Sequence, residues 1–467
     1  MIGPILVLDG IAGDDMHLSA LFVGPLGDVP PPIDPGGGEV PASILLTCGP
    51  HALWRARFEV PAYGASSYSW NGDRYDLAGL GDDLRLAFVS CNGEETGDLD
   101  REGSERNAMW ARLAARHEAA PFALLLHGGD QIYADEATAG HTLSADWPDE
   151  VPPNPSAADL GDLRRHLREA FFARYAAVYA SPEMAWLCAR VPSLMQWDDH
   201  DICDGWGSLR RSRTEGPVGQ AIFEVAREMA LGFQHAARDG DLPARFADPK
   251  GAHLGWRVEA PGLRLLAPDL RSERTRRRIM GAGGWSMMDA AGGFAGRTLL
   301  MSSVPLLGPR LSLLERVMRL HPRMMSYEDD LRDQWQSRAH RTEWRRMLAL
   351  LRDMEPSGAD GITVLSGEIH LAARATMALG DGRILHQLTA SGISHRAPPR
   401  SWARFLGALS RLGDAPLAGC PIRMKRLPGQ RGLFVAERNF LVLARLDDVW
   451  TAEWDLEVSG RTAPLHI

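Results

Sequence analysis

Four short polar segments, each placed directly after an apolar run, concentrate side chains that can hold a metal ion. Thiol, phenol, imidazole and carboxylate groups occur in them, and all four are ligand types for metals in proteins. The segments are Ser90-Cys91-Asn92, Gly129-Asp130-Gln131-Ile132-Tyr133, Trp197-Asp198-Asp199-His200-Asp201 and Ser366-Gly367-Glu368-Ile369-His370. Because the same arrangement occurs four times, the sequence predicts one shared metal site.

Asp130 is the candidate for a carboxylate that bridges two metals. It follows an apolar run and two glycines, and both oxygens of a carboxylate have lone pairs with which to contact a cation. In two-metal hydrolases the ions lie ~3.5–4 Å apart, a gap that one carboxylate spans. We therefore expect Asp130 to be a catalytic residue and the shared ligand of a dinuclear centre.

The other candidate ligands divide into two chemical types. Cys91 and Tyr133 offer a thiolate and a phenolate, which favour Fe(III) on one side, and the imidazole of His370 is compatible with the same ion. Asp199 and Glu368 offer hard oxygen ligands suited to calcium, manganese or magnesium. The residue types therefore predict a mixed pair of metals.

Each of these residues also has an ordinary explanation when it is taken alone. A cysteine such as Cys91 after an apolar strand is often a small buried core residue, and Tyr133 could be a packed aromatic ring. Asp130 could form a turn or cap a helix, and a lone His370 is more often a satisfied core histidine. The joint occurrence at the ends of apolar runs favours the metal site.

The segments lie in a part of the chain whose pattern is typical of α/β structure. From Leu84 onward, apolar strand-like runs alternate with amphipathic helices. We expect strands at 86–89 and 122–126 joined by a crossover helix at 105–117, which brings their polar tips to one sheet edge. Further helices are predicted at 160–180, 220–237 and 332–354, and further strands at 263–266, 299–301, 362–365, 384–389 and 440–443.

The first 80 residues show a different pattern. Short β-type runs such as 43–47 and 54–60 are separated by segments rich in Pro and Gly, and helical periodicity is missing. We therefore expect a small N-terminal β-sandwich-like module at 1–80, followed by a catalytic domain at 81–467.

Composition restricts the classes of partner. A net charge of −9 and a pI near 5.9 argue against nucleic-acid binding by a positive surface field. Five cysteines at irregular spacing do not form a disulfide framework, which fits a reducing compartment. No secretory leader and no apolar run of ~20 residues occur in the sequence, so we expect a cytoplasmic protein without a membrane partner.

These segments resemble the alkaline phosphatase D (PhoD-like) family of metallophosphatases. Gly-Asp-x-x-Tyr at Asp130 and Tyr133 is also similar to the purple acid phosphatases. Asp199-His200 stands at the place of the family's Asn-His pair, and Ser90-Cys91 matches the opening segment, in which a cysteine replaces the usual aspartate. Gly367 to His370 matches the late segment that supplies one ligand to each metal, with Glu368 where the family usually has Asp.

The resemblance implies a four-layer fold of two mixed β-sheets flanked by helices and an iron and calcium site, with Mn(II), Zn(II) or Mg(II) as alternatives. It implies hydrolysis of phosphomonoesters, phosphodiesters or both, by a metal-bound hydroxide that attacks phosphorus in line. His200, oriented by a carboxylate such as Asp201, would protonate the leaving oxygen. Arg271 or Arg274 would bind the phosphoryl oxygens through a guanidinium fork.

Two other functions stay open at this point. The chain could be a non-catalytic binding protein that keeps the metallophosphatase fold. It could also be a serine hydrolase through Ser391, although it has no Gly-x-Ser-x-Gly elbow, and it has no Walker A or Gly-x-Gly-x-x-Gly segment. The expected substrate is a small phosphoester, and nucleic acid is expected only as a possible diester substrate.

Overall fold

The strands of the protein form two large mixed sheets and one small one. The structure is a computed structural model that describes residues 1–150, 152, 154–309, 333–354, 361–380 and 382–467. The strands, numbered in chain order, are β1 (Ile2–Ala12), β2 (Asp15–Pro25), β3 (Ile33–Asp34), β4 (Ser43–Cys48), β5 (His51–Pro61), β6 (Ser66–Trp70), β7 (Asp73–Leu77), β8 (Leu84–Val89), β9 (Leu124–His127), β10 (Ser193–Met195), β11 (Trp256–Ala260), β12 (Gly262–Ala267), β13 (Gly296–Met301), β14 (Ile362–Ser366), β15 (Ala372–Gly380), β16 (Arg383–Thr389), β17 (Asp414–Leu417), β18 (Cys420–Lys425), β19 (Phe434–Val435), β20 (Asn439–Leu446), β21 (Val449–Leu456), β22 (Gly460–Arg461) and β23 (Leu465–His466).

The helices lie mostly between strands that run parallel. In the described part of the chain the α-helices are α1 (Gly103–Arg106), α2 (Ala108–Ala119), α3 (Ala157–Tyr179), α4 (Pro182–Cys188), α5 (Arg211–Thr214), α6 (Pro217–His235), α7 (Ala282–Asp289), α8 (Arg341–Asp353) and α9 (Arg400–Ser410). Short 3-10 turns occur at Asp98–Asp100, Asp135–Thr138 and Asp199–Asp201. The predicted helix at 332–354 begins one residue outside the described range; within that range the helix is α8, which begins only at Arg341 because residues 334–340 form turns. None of the described helices is both long enough and apolar enough to cross a bilayer.

Each large sheet has a parallel centre and antiparallel edges. The first has the order β22-β21-β20-β8-β9-β10-β1-β2-β5-β4, and β8, β9, β10 and β1 run parallel within it. The second has the order β11-β12-β13-β14-β16-β15-β18-β17, and β12, β13, β14 and β16 run parallel within it. Parallel strands place their carboxyl ends at one edge, where α/β sheets bind ligands.

Apolar side chains fill the space between the two sheets. Leu86 and Leu126 of the first sheet belong to the same buried cluster as Leu265, Leu299 and Leu365 of the second. The outer face of the first sheet packs on α2, α3, α4 and α6, and the outer face of the second packs on α7 and α8. The layers are therefore helices, sheet, sheet and helices, which is the predicted four-layer arrangement.

Most of the N-terminal region is part of the first sheet rather than a separate sandwich. Val7 of β1 pairs in parallel with Ser193 of β10, and β2, β5 and β4 continue the sheet outward. Residues 5–8 are fully buried, as is usual for a central strand that is covered on both faces. Only β3, β6 and β7 form a sheet of their own, so the predicted boundary at residue 80 does not separate the sheets.

Shortening a side chain between the two sheets should destabilise the whole domain. We expect Leu126→Ala to lower the free energy of unfolding by about 2–5 kcal/mol, because Leu126 is fully buried and its loss leaves a cavity. Urea unfolding followed by circular dichroism measures the change. Leu446→Ala is the matched control, since Leu446 is 58% exposed, and it should change stability by less than about 0.5 kcal/mol. Equal effects of the two substitutions would contradict the sandwich core.

Candidate metal centre

Four of the predicted ligands have a backbone conformation that non-glycine residues rarely adopt. Cys91, Asp130, Glu368 and His370 have φ values of 58°, 54°, 65° and 53°. Such residues cost on the order of 1–3 kcal/mol each and occur mainly at functional sites. They follow β8, β9 and β14, so the strained positions lie at the carboxyl ends of both parallel sheet centres. The backbone is therefore strained at the place where these side chains meet.

Glycines allow the loops at this edge to approach each other closely. A Cβ atom on Gly129 would lie 2.7 Å from the Cβ of Asp198, and one on Gly367 would lie 2.3 Å from the Oγ of Ser90. Gly129 also has a φ of 117°, which side chains rarely permit. The loops after β9 and β10 therefore touch through backbone at Gly129, and the loops after β14 and β8 touch at Gly367.

The first group of possible ligands joins residues from three strand ends. Ligand atoms of Cys91, Asp130 and His370 all lie within 4.8 Å of one another. The Sγ of Cys91 is 3.4 Å from Oδ2 of Asp130, and the hydroxyl of Tyr133 is 2.9 Å from Nε2 of His370. The structure thus brings together the thiol, carboxylate, phenol and imidazole that the sequence indicated for one metal.

The second group is made of carboxylates. Ligand atoms of Asp130, Asp198 and Asp199 lie within 4.8 Å of one another, and Asp199 also forms such a group with His200 and Asp204. Oδ1 of Asp130 and Oδ2 of Asp198 are buried and have no hydrogen-bond partner, which is rare for buried polar atoms. Asp130 is therefore a member of both groups, and its second oxygen is free to bind a cation.

The electrostatics of the groups also favour bound cations. Burial and the neighbouring Asp198 hold the pKa of Asp130 well above its usual range. Burial raises the pKa of Asp198 to about 6, although Arg271 opposes the shift. Burial and then Asp333 raise the pKa of Glu368 well above normal. Positive ions at this place would reverse these shifts, so the donor set fits a metal centre.

The pKa shifts of the His370 imidazole and the Cys91 thiol also fit a metal centre. Burial and the neighbouring His395 hold the pKa of His370 well below its usual value, which keeps the ring in the neutral form that ligates metals. Burial and Asp130 raise the pKa of Cys91 well above its usual value. Hydrogen bonds from Ser391 and Ser90 oppose this shift without cancelling it, and because a thiol must lose its proton to bind a metal, a cation close to Cys91 would further stabilise its thiolate.

Asp201 ties the loop after β9 to the loop after β10. Its carboxylate accepts the backbone N–H groups of Asp130 and Gln131 at 3.0 Å. The N–H of Asp198 donates to the same carboxylate at 2.9 Å. Asp201 therefore holds two neighbouring strand ends in register and does not face His200, so it does not have the predicted orienting role.

Asp135 is the residue that orients His200. Its Oδ2 is 2.9 Å from Nδ1 of His200, and the ring of His200 stacks on Tyr133 with 4.3 Å between centroids. Burial disfavours the charged ring, but Asp135 and then Asp199 outweigh it and raise the pKa of His200 well above its usual value. Asp135 thus favours the charged form of the ring and engages Nδ1, so Nε2 is the ring nitrogen that Asp135 does not contact.

Arg271 has a structural position rather than the predicted substrate-binding one. Its side chain is fully buried, and its guanidinium contacts Asp198, Asp199 and Asp333. Nη1 also donates to the backbone oxygen of Trp206 at 2.8 Å. All three guanidinium nitrogens of Arg271 are therefore already engaged, and it neutralises carboxylates of the centre instead of binding phosphate.

The side chain of Arg274 is also buried. Its buried guanidinium lies 2.9 Å from Oδ1 of Asp333, and the backbone oxygen of Asp333 accepts a further hydrogen bond from it. A Cβ atom on Gly207 would overlap the Arg274 side chain, which shows how tightly the segment around residue 207 covers it. Nε and Nη1 of Arg274 are buried and have no hydrogen-bond partner, so its predicted contact with substrate stays a prediction.

Glu368 is held by an amide that the sequence did not indicate. Nε2 of Gln334 lies 2.7 Å from each carboxylate oxygen of Glu368. Glu368 is not a member of the groups of described residues whose ligand atoms lie within 4.8 Å of one another. The structure therefore brings Glu368 to the same edge as Asp130 but does not place it among the clustered ligands.

The residues that the sequence interpretation missed differ in how visible they were. Asp198 stands inside a segment already singled out, and Asp135 lies two positions after another one. Gln334 and His395 lie in segments without such a signal. His395 stacks on His370 with 3.4 Å between ring centroids, and only the fold makes this contact visible.

A family model describes the region that carries most of these residues. The model of PhoD related phosphatases matches residues 91–326, about half of the chain. The chain belongs to this family. The match begins at Cys91 and includes Asp130, Asp199 and Arg271, so the resemblance predicted from the motifs is confirmed.

Known proteins similar to this chain include a yeast relative and two proteins of solved structure. An uncharacterized protein of Saccharomyces cerevisiae is 25% identical over 463 residues, which cover 79% of this chain and 66%, just under two thirds, of the yeast protein. The structure of PhoD matches with a TM-score of 0.62 at 12% identity, covering 99% of this chain and 88% of that one. A purple acid phosphatase from yellow lupin (Lupinus luteus) seeds matches with a TM-score of 0.57 at 11% identity, covering 99% and 73%. These structural matches confirm the predicted fold class.

Removing the Asp135 carboxylate should weaken His200 as the predicted proton donor. Asp135→Asn lowers the pKa of His200, so His200 loses its proton at lower pH and the alkaline limb of the kcat profile moves to lower pH. We expect kcat on nitrophenyl phosphate to fall roughly 10- to 100-fold, as for other partners that orient a functional histidine. Steady-state assays across pH measure both effects.

Glu136→Gln is the matched control for this substitution. Glu136 is the next residue on the same turn, but its carboxylate contacts the backbone of Gly97 and the side chain of Arg174. It should leave the pH profile in place. If both variants behave alike, the role given to Asp135 is wrong.

Proposed function

We propose that this protein hydrolyses phosphoesters at a dinuclear metal centre in which Asp130 is the shared ligand. The observation that carries the proposal is the membership of Asp130 in two separate groups of metal-capable atoms. One group contains Cys91 and His370, and the other contains Asp198 and Asp199. Since the unpartnered oxygen of Asp130 is buried between charged neighbours, one carboxylate can serve both ions.

The residue types suggest which ion each group would hold. Cys91, Tyr133 and His370 would hold the softer or more highly charged ion, preferably Fe(III), with Asp130 completing the set. The oxygen-rich group would hold Ca(II), with Mn(II), Zn(II) or Mg(II) as alternatives. When bound, two such cations supply a water molecule of lowered pKa and positive charge for the phosphoryl oxygens.

His200 would supply the proton that the leaving oxygen needs. Its Nδ1 is engaged by Asp135 at 2.9 Å, so Nε2 is the nitrogen that can donate. Asp135 and Asp199 keep the ring protonated by raising its pKa, which suits a general acid. After donation the neutral ring would stay in place, because Asp135 still accepts from Nδ1 and Tyr133 still stacks on it.

Charge on the phosphoryl oxygens would depend mainly on the bound cations. Arg271 and Arg274 are buried and paired with Asp333; Arg271 has no guanidinium nitrogen left for an ester, and a contact from Arg274 stays a prediction. They act on the protein's own carboxylates, and Arg271 holds Asp198 and Asp199 in place. The choice between monoesters and diesters, the small-molecule nature of the substrate and a cytoplasmic location stay predictions.

The other two candidate functions differ in their support. Ser391 accepts the backbone N–H of His370 at 2.8 Å, lies 3.1 Å from Sγ of Cys91 and is fully buried, so it is placed to support the site rather than to attack a substrate. Gln334 donates hydrogen bonds to both carboxylate oxygens of Glu368. This contact favours the alternative function, a binding protein that holds one metal and does not hydrolyse esters.

Substitution of the shared carboxylate tests the proposal. We expect the protein to contain two metal ions per chain and Asp130→Asn to contain at most one, because the bridging oxygens lose their charge. Turnover of nitrophenyl phosphate and bis-nitrophenyl phosphate should fall by more than roughly 100-fold, since even partners of ligands cost up to that factor. Elemental analysis and steady-state assays give the two readouts.

Asp28→Asn is the matched control, because Asp28 is exposed and lies outside the centre. It should keep both metals and full turnover, and chelation followed by metal addition should abolish and restore its activity. A wild-type protein that binds one metal and turns over neither ester would establish the binding protein instead. Full turnover by Asp130→Asn would remove Asp130 from the mechanism.

A further inference from the structure

Helix α9 exposes an apolar stripe at the surface. Trp402, Phe405 and Leu409 follow the spacing i, i+3 and i+7, and Leu412 comes directly after the helix end. This spacing puts them on one side of the helix. Phe405 is 42% exposed and Leu412 is 62% exposed, and the rings of Trp402 and Phe405 stack with 5.5 Å between centroids. Large apolar groups that share one exposed face indicate an interaction surface.

A different side of α9 attaches the helix to the fold. Ala403 and Leu406 are buried in a cluster with Leu371, Ala373 and Phe434. The helix therefore already has an apolar face that packs on the protein, and the Phe405 side of the stripe is additional to it. Trp402 is half-buried against the same cluster, so the packing of the core accounts for Trp402 but not for the exposed Phe405 and Leu412.

The surroundings of the stripe are strongly basic. Residues 391–436 contain one acidic residue, Asp414, while the whole chain has a net charge of −9. Arg400, Arg404 and Arg411 of α9 are exposed and make no ion pair with another described residue. The eight basic residues of this segment are Arg396, Arg400, Arg404, Arg411, Arg423, Lys425, Arg426 and Arg431. Arg396 is paired with Glu94 and Glu105, so the positive charge available to an anionic partner is that of the three exposed arginines at α9.

We propose that α9 docks this protein on the surface of an anionic lipid bilayer. A helix with arginines on one side and Trp, Phe and Leu on another is suited to the boundary between headgroups and acyl chains. The arginines would contact anionic headgroups, and the aromatic rings would lie at headgroup level. A nucleic acid would satisfy the arginines but would leave the Phe405 and Leu412 stripe in water. This proposal replaces the expectation that the protein has no membrane partner.

Docking through α9 would place the metal centre near the bilayer. The loop that leads into the helix carries Ser391, which contacts Cys91, and His395, which stacks on His370. Ile369, next to His370, packs against the same cluster that holds Ala403 and Leu406. The docking surface and the candidate ligands thus belong to adjoining segments, although docking itself does not require that the centre is catalytic.

Vesicle flotation tests the proposal on the full-length protein. We expect the protein to float with phosphatidylserine-rich vesicles and not with phosphatidylcholine vesicles, and 0.5 M salt should release it. The variant Phe405→Ser with Leu412→Ser should bind at least ~10-fold more weakly, because it loses two apolar groups that would be buried in the bilayer on docking. Replacing Arg400, Arg404 and Arg411 by Gln should weaken binding on the order of 100-fold.

Matched substitutions elsewhere on the surface are the controls. Leu446→Ser with Val458→Ser removes two other exposed apolar groups, and the triple Gln variant of Arg276, Arg277 and Arg278 removes three other arginines. Both should bind like the wild type, and all variants should keep the wild-type melting temperature.

Two results would overturn the proposal. The first is equal flotation with neutral and anionic vesicles, or none with either. The second is a dimer in analytical ultracentrifugation that Phe405→Ser with Leu412→Ser dissociates, which would assign the surface to a second copy of the chain. Neither depends on ester hydrolysis, so failure here is distinct from failure of the proposed function.

Discussion

The structure is governed by the concentration of negative charge at one buried place. Ligand atoms of Asp130, Asp198 and Asp199 lie within 4.8 Å of one another, and Asp333 is near enough to raise the pKa of Glu368 and of Asp198. A buried carboxylate is costly unless it is paired or coordinated. Each further feature of the centre either offsets part of this charge or leaves it for a cation to offset.

The protein offsets one part of the charge with its own groups. Arg271 contacts Asp198, Asp199 and Asp333 at once, and the backbone N–H groups of two loops converge on Asp201. These contacts fix the positions of the strand ends as well as neutralising them. They do not reach Oδ1 of Asp130 or Oδ2 of Asp198, so the uncompensated oxygens lie where the two groups of ligands share Asp130.

The buried carboxylates also decide what Arg271 and Arg274 bind. A guanidinium matches a phosphoryl group and a carboxylate equally well, so its partner is decided by what lies beside it. Arg271 and Arg274 meet Asp333 within the fold and are shielded from solvent. The surface that stays positively charged and accessible is instead around α9, on a face that the centre does not use.

The sequence by itself determined the ligand types and the class of fold. Apolar strands followed by Cys91, Asp130 and His370 were visible as local patterns, because strand burial and loop polarity are encoded within a few residues. The partners of those side chains were not. Asp201 was expected to hold His200 and instead binds the loop of Asp130, while Asp135 holds His200. Local spacing cannot show which of two nearby carboxylates points toward a ring.

Only the tertiary structure decided the placement of β1 and the surroundings of Glu368. The N-terminal strands have the pattern of an independent β module, yet β1 pairs with β10, because pairing depends on contacts almost 200 residues away in sequence. In the same way, Gln334 contacts Glu368 although 34 positions separate them in the sequence. The sequence therefore specified which groups could do the chemistry. Long-range packing determined which of them meet, since strand order and loop contacts are properties of the whole chain.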